Sequence, residues 1–363
     1  MREYFARIDN HPEDGYNMVI PIKGEPSMSK LKVLLARLRS GSFKRMFMHI
    51  REIHKESGRS RIVLFFDMVW CILRYGVGYL DYHVFGFAYI HGKANRESFM
   101  TMNDNLALVR RVNDPEYRPV FKNKLVFMDR FRGYTGRAYL DLTKCDAAAF
   151  GDFVRKHGAV FVKPADDFGG HGIRKITAAE TDDYEALHRE LVDDGCVLAE
   201  EAIRQHPKLN ELNSSCINTL RMVTLVNNGV AHHMYTLIRV GSGTGIVDNI
   251  SSGGMYAPIW EDGKIAKAAF CDSTGLYYEN HPLTGTAFVG FEIPHYEEAV
   301  ELVKRASLEV EQVKYIGWDV AISENGPVLV EGNILPGYDM CQNYHHLRDD
   351  KRGIKEKFQK IIG

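Results

Sequence analysis

Residues 316–333 read IGWDVAISENGPVLVEGN. Two short apolar runs flank Ser323-Glu324-Asn325-Gly326, a turn composition that joins antiparallel strands, so the segment is expected to form a hairpin. Asp319 falls on the first strand. Glu331 and Asn333 fall on the second, two residues apart, and therefore on one face. Three hard oxygen donors on one sheet face suit Mg²⁺, which keeps several waters and takes one or two carboxylates together with phosphate oxygens. Acids beside a turn are ordinary on a polar sheet face. The Glu-x-Asn spacing, followed at once by Leu335-Pro336-Gly337, is what favours metal ligation.

Upstream, residues 161–173 read FVKPADDFGGHGI. A strand delivers Lys163 and breaks at Pro164. Gly169, Gly170 and Gly172 then form a loop whose backbone amides can approach phosphate oxygens. His171 lies within that loop, and Asp166-Asp167 shape its turn. The Walker A pattern G-x-x-x-x-G-K-[ST] is missing from the chain, so the loop is not of that type. A glycine cluster is by itself more often a plain surface turn. Its place directly after a strand lysine is what distinguishes it.

Between these two stretches lie NTLRMVTLV at 218–226, MYTLIRVG at 234–241 and DNISSGG at 248–254. They place Arg221 and Arg239 on successive strands, ahead of Asn249, Ser252, Gly253 and Gly254. Guanidinium offers planar bidentate donors for carboxylate or phosphate. A single arginine is more commonly a structural ion-pair partner, and the grouping carries the functional reading.

The remainder sets bounds. A chain of 363 residues implies two or three domains. Its 46 basic residues against 47 acidic ones, a net charge of -1, argue against nucleic acid as a partner. Six scattered cysteines without C-x-x-C pairing or zinc-like spacing to histidines read as reduced thiols of a cytoplasmic protein. The opening MREYFARIDNHPEDGY has no apolar signal-peptide core. The most apolar run, Ile62 to Leu73, is too short to span a bilayer and contains Asp67, so it is expected to be a buried helix. Residues 1–115 show helical spacing in LKVLLARLRS and KRMFMHIREIHKES. They carry a basic run from Lys30 to Arg61, either a solvated helix face or a dock for a polyanion or an anionic membrane surface, which makes peripheral membrane contact an expectation. His232-His233 and His345-His346 read as ordinary polar residues.

Short strands interrupted by occasional helices beyond residue 122 give an α+β class with mostly antiparallel sheets. Taken together, Arg221, Arg239, Asn249 to Gly254, Asp319 and Glu331-Gly332-Asn333 with Pro336-Gly337 resemble the ATP-grasp superfamily. In order and type they are similar to its α-L-glutamate ligase branch, and the whole chain, including YGVGYLDY at 75–82, looks closest to sugar-transfer-associated ATP-grasp proteins. Two departures stand out. Thr219 occupies a position where the glutamate ligases carry Asp, and their Glu-Val-Asn is here Glu-Gly-Asn.

The resemblance implies two α+β lobes clamping ATP, with a helical region (1–115), a small lobe with the glycine loop (116–198) and a large lobe with the Mg²⁺ site (199–363). It implies Lys124 and Lys163 on the nucleotide phosphates, Gly169, Gly170, His171 and Gly172 around them, and Glu200, Glu201, Ala202 and Ile203 as the adenine-reading linker. Glu211 is the ribose candidate. Asp319, Glu331 and Asn333 would hold Mg²⁺, with Mn²⁺ as a substitute. Arg221, Arg239, Asn249, Ser252, Gly253 and Gly254 would bind substrate. Lys163, Arg221 and Arg239 are the catalytic candidates. The implied activity is an ADP-forming carboxylate–amine ligase acting through an acyl phosphate, on a saccharide or peptide in surface-polysaccharide or secondary-metabolite assembly. A phosphotransferase acting on a hydroxyl and a non-catalytic ATP-binding scaffold stay open beside it.

Overall fold

A computed structural model describes residues 42–164, 172–179, 181, 183–243, 245, 248 and 253–363. The chain divides into two compact units, the described parts of which are Val109–Pro336 and, second, 42–108 with Gly337–Gly363. Residues 337–363 thus group with the helical region rather than with a large lobe running to the end of the chain.

The first unit holds two sheets. β1 (Tyr139–Asp141), β2 (Ala159–Pro164), β3 (Arg174–Thr177) and β4 (Cys196–Glu201) form the smaller, in the order β1-β4-β2-β3, with every pair antiparallel. The helix Ala147–His157 buries Phe150 and Val154, four residues apart, while its polar side faces outward. Asp146 caps it by accepting from the Ala149 amide at 2.8 Å, and Gly158 ends it at φ +74°. With the helix Tyr184–Asp193 it closes a core of Leu142, Phe150, Val154, Val160, Val162 and Leu191.

The larger sheet comprises β5 (Thr219–Asn227), β6 (Val230–Val240), β7 (Met255–Ile259), β8 (Ala269–Cys271), β9 (Leu276–Tyr278), β10 (Tyr315–Ser323) and β11 (Gly326–Asn333). Their order is β11-β10-β5-β6-β7-β8-β9, antiparallel throughout. The hairpin read from 316–333 is therefore β10 and β11 at one edge. One face carries Leu220, Met222, Trp318 and Val320, which bury against the helix Tyr296–Ala306 and the aromatic side chains Phe121, Phe127 and Phe131. Trp318 satisfies its buried indole N–H on Thr224 Oγ1 at 2.9 Å. The opposite face is left for polar side chains.

Residues 202–206 carry the chain from the small sheet to the large one. The Ala202 amide donates to the Ala159 carbonyl at 3.2 Å on one side; His206 donates to the Ile322 carbonyl at 2.9 Å on the other.

The second unit is helical: Ser42–Ser57, Arg61–Tyr75, Tyr79–Val84, Lys93–Glu97 and Lys355–Ile362, together with most of Met102–Val112. Its core polar anchor is Arg96, which donates to both oxygens of Asp67 at 2.7 Å and to the Phe87 and Ile90 carbonyls. The run Ile62 to Leu73 forms the expected helix but is buried on one side only. Leu64, Met68 and Cys71 turn inward at i, i+4, i+7, while Ile62, Phe66 and Trp70 are 70%, 66% and 56% exposed. Asp67 ion-pairs with Arg96. No described helix is long and apolar enough to cross a membrane.

All six cysteines are free; Cys71, Cys196, Cys216 and Cys271 are buried. Burial pushes the Cys71 and Cys216 thiols up to about 12, which makes them poor nucleophiles.

Candidate active site

The polar face of the large sheet is built by register. Cross-strand partners point to the same side, and β5, β10 and β11 align Arg221 with Asp319 and Asp319 with Glu331. One pair further along, Thr219 faces Arg239. Asn333, two residues after Glu331, shares the face and donates to its carboxylate at 3.3 Å. A β-bulge at Val330 follows from the shift between Asp319–Glu331 and Val320–Leu329. Bulges re-aim side chains beside functional sites.

Asp319 is the electrostatic centre. It accepts from Arg221 Nε at 2.5 Å and from Arg239 Nη2 at 2.7 Å, and is itself buried. Burial would raise its carboxyl, but the two guanidinium groups outweigh that and hold it well below the usual carboxylate range. Glu331, in hydrogen-bond contact with Asp319, moves the other way: enclosure by the protein and the neighbouring anion both raise it. Its side chain still reaches solvent. Two carboxylates in contact repel one another, and a divalent cation between them relieves that repulsion. With the Asn333 side-chain oxygen, the donor set fits Mg²⁺.

Arg221 and Arg239 are thus ion-paired to Asp319 in this state, as well as lying on the predicted substrate face. Arg239 also donates to Thr219 Oγ1 at 3.0 and 3.1 Å. The absence of an acid at position 219 has a local answer. Asp248, buried, accepts from the Thr219 amide at 2.9 Å and its hydroxyl at 2.5 Å, and lies 3.8 Å from Arg239 Nε. A carboxylate from a loop therefore stands against the strand position that lacks one. Asp248 was not singled out from sequence; a partner 29 residues away leaves no spacing signal. Gly332 is explained as well. A Cβ there would sit 2.9 Å from Phe121 and 3.1 Å from Trp318, so the valine of Glu-Val-Asn has no room.

In the small lobe, the structure brings Lys124 and Lys163 to one end of β2. Asn123 caps the helix Lys124–Arg130, which fixes the base of Lys124, and Lys124 Nζ donates to the Pro164 carbonyl at 2.9 Å. Lys163 ion-pairs with buried Glu200. Arg137 holds the other Glu200 oxygen at 2.8 Å and extends to the Leu329 carbonyl at 2.6 Å, at the β11 bulge. Arg137 escaped the sequence reading, yet it ties the strand carrying Glu200 to the strand carrying Glu331. Burial would raise Glu200, and Arg137 and Lys163 overcome it, leaving the carboxyl below its ordinary value.

The expected adenine linker begins on β4. Glu200 points its side chain into the ion-pair network, Glu201 donates its amide to the Ala138 carbonyl at 2.9 Å, and Ala202 is committed to Ala159. Ile203 lies beyond the strand, in the crossing segment between the sheets. Glu211 pairs with Lys208 at 2.8 Å on an exposed surface, so its carboxylate is already engaged. Gly172 is in a turn at φ +69°, and Gly253 at φ +89° accepts from Ser242 Oγ at the base of the loop after β6. Gly169, Gly170, His171, Asn249 and Ser252, like Asp166 and Asp167, lie outside the described residues.

A family model described as sugar-transfer associated ATP-grasp matches residues 103–350. The chain belongs to that family. Its fold is the ATP-grasp fold, α+β, preceded by a helical region. No curated protein matches the sequence. Among solved structures, this ATP-grasp chain is similar to D-alanyl-alanine synthetase A from Vibrio cholerae O1 biovar eltor. That pair shares 17% identity at a TM-score of 0.39, over 66% of this chain and 65% of the other. It is also similar to the ATP-grasp ligase PsnB complexed with minimal precursor, at 14% identity and a TM-score of 0.41, over 69% and 64% of the two chains. A carboxyaminoimidazole ribonucleotide synthase from Aspergillus clavatus complexed with ATP shows 14% identity, a TM-score of 0.39 and coverage of 64% and 50%. The ATP-grasp chain therefore spans about two thirds or less of the length of these structures.

Proposed function

We propose that this ATP-grasp protein is an ADP-forming carboxylate–amine ligase that activates its carboxylate as an acyl phosphate. The observation that carries the reading is the pairing of two charge clusters in one unit. Lys124 and Lys163 gather at the end of β2, and Asp319, Glu331 and Asn333 share a sheet face with Arg221 and Arg239.

The chemistry asks for this arrangement. A carboxylate approaching the γ-phosphate of ATP meets like charge, and a pair of unit charges at 4 Å is worth about 4 kcal/mol at an effective dielectric near 20. Lys124 and Lys163 offset part of that on the nucleotide side. When bound, Mg²⁺ held by Asp319, Glu331 and Asn333 supplies charge neutralisation at the phosphates. Arg221 and Arg239 can exchange Asp319 for the substrate carboxylate, because guanidinium binds either acid with the same fork geometry. The carboxylate oxygen attacks the γ-phosphorus and ADP leaves. An amine then attacks the acyl carbon, phosphate leaves and the amine loses its proton. The fixed donors are preorganised, so no side-chain nucleophile enters either step.

Sugar transfer in the family's description supports a saccharide acceptor; a peptide acceptor, in cell-surface polysaccharide or secondary-metabolite assembly in the cytoplasm, belongs to the same reading. The test is an ADP-release screen of acids crossed with amines, followed by mass spectrometry of the product. Stoichiometric phosphate with an added acyl group and loss of water supports the ligase. A product heavier by one phosphoryl group selects phosphotransfer to a hydroxyl instead, and ATP binding without turnover on any pair selects the scaffold.

A further inference from the structure

The helical unit contains a cluster that the ligase reading does not use. His49 and Glu52 stand three residues apart on the helix Ser42–Ser57, hence on one face, and His83 comes from the helix Tyr79–Val84. His49 Nδ1 lies 3.0 Å from His83 Nδ1, and Glu52 Oε2 lies 3.6 Å from the first and 3.9 Å from the second. Among the described residues, this is the one group of three His, Cys, Asp or Glu side chains whose ligand atoms all fall within 4.8 Å of one another.

We propose that His49, Glu52 and His83 bind a divalent transition-metal ion of the Zn²⁺ class. The geometry is quantitative. A point equidistant from three atoms with those separations lies about 2.1 Å from each, against Zn–N and Zn–O bonds of about 2.0–2.2 Å. Two imidazole nitrogens and one carboxylate oxygen form a borderline donor set, which favours Zn²⁺ over the hard cations of the nucleotide site. Three protein ligands leave a further coordination position. Glu52 and His83 are 28% and 27% exposed while His49 is 1% exposed, so that position is reached from the Glu52–His83 side, by water or an acceptor oxygen.

An outer partner is also present. His83 directs its second ring nitrogen toward Glu56 Oε2, 3.7 Å away, as metal-bound histidines direct theirs toward a carboxylate. The ion would join two helices whose ligands are 34 residues apart in sequence, and so clip the start of the helical unit together. A shared proton between the two Nδ1 atoms is the competing arrangement, and it binds no metal.

The test uses the untagged full chain, stripped with EDTA and titrated with Zn²⁺ against a chromophoric chelator, in excess Mg²⁺ and without nucleotide. We expect one equivalent bound with a sub-micromolar dissociation constant, weakened at least 10-fold in His83→Ala and in the near-isosteric Glu52→Gln. Glu56→Gln should lose about 10-fold, the scale for an outer carboxylate. Zn²⁺ should raise the thermal midpoint of the wild type and not that of Glu52→Gln, and Co²⁺ should give the strong visible absorption of a low-coordinate site. Binding weaker than about 10 μM, or binding unchanged in Glu52→Gln, overturns the proposal and leaves the ligase reading untouched.

Discussion

A Cβ built on Gly332 would meet Phe121, Trp318 and Phe127 at 2.9, 3.1 and 3.2 Å, so the residue between the two ligand candidates of β11 is fixed by packing. Gly332→Val is expected to cost about 1–3 kcal/mol, the range for overpacking a filled core. Adding Phe121→Leu should restore part of it, as read by urea unfolding of both variants. At the charge clusters, Lys163→Ala and Glu331→Ala should each lower ADP formation by about 10²–10³, the effect of losing one preorganised electrostatic group. ADP formation near the wild-type rate in both variants would remove the assignment of this face. Stability must be followed in parallel, because Lys163→Ala leaves buried Glu200 with Arg137 as its remaining cation.

At the scale of elements, the hairpin of β10 and β11 was legible because its signal is local: a turn of four residues and ligands at a spacing of two. What register adds was not legible. The alignment of Arg221 with Asp319 depends on β5 lying beside β10, 98 residues away, and Asp248 reaches Thr219 from a loop. Arg137 was hidden for the same reason, since its contacts with Glu200 and Leu329 are made only after both sheets form. His49 and Glu52 carry a helical i,i+3 spacing, but His83 completes the cluster only in three dimensions.

The Arg137–Glu200–Lys163 link gives a pH dependence. Glu200 has a folded value below its ordinary 4.5, so the unfolded chain takes up its proton first. The stabilisation is therefore complete above 4.5 and is lost as the pH falls below it toward the folded value. Thermal midpoints measured from pH 6 downward should fall more steeply for the wild type than for Glu200→Gln in that acidic window. Equal slopes would show that the link does not titrate. In the helical unit, Arg96→Met strips half-buried Asp67 of its bidentate partner but leaves the Tyr82 hydroxyl donating to it at 2.7 Å, and should destabilise by about 1–3 kcal/mol, the cost of leaving one hydrogen-bonding partner unsatisfied. Denaturant titration of that variant checks it.

Across the molecule, the helical unit is assembled from both sides of the ATP-grasp segment. Gln342 accepts from the Met100 amide and donates to its carbonyl, Tyr338 binds Asp81, and the Gly353 amide donates to Ser98. Ending the chain at Pro336 should therefore leave residues 42–108 open to protease while 109–336 resists, a pattern that limited proteolysis with mass mapping would show. Survival of the helical segment in that truncation would mean that it needs none of these contacts. The division also sets an order of events on the ribosome. At roughly 5–20 residues per second, the 228 residues of the central segment take about 10–45 s to be made. Throughout that interval the first helices have emerged without Tyr338, Gln342 and Gly353, and they wait with Phe85, Phe87 and Phe99 incompletely covered. Nascent chains of this protein should accordingly recruit chaperones early and release them only after the last residues leave the exit tunnel.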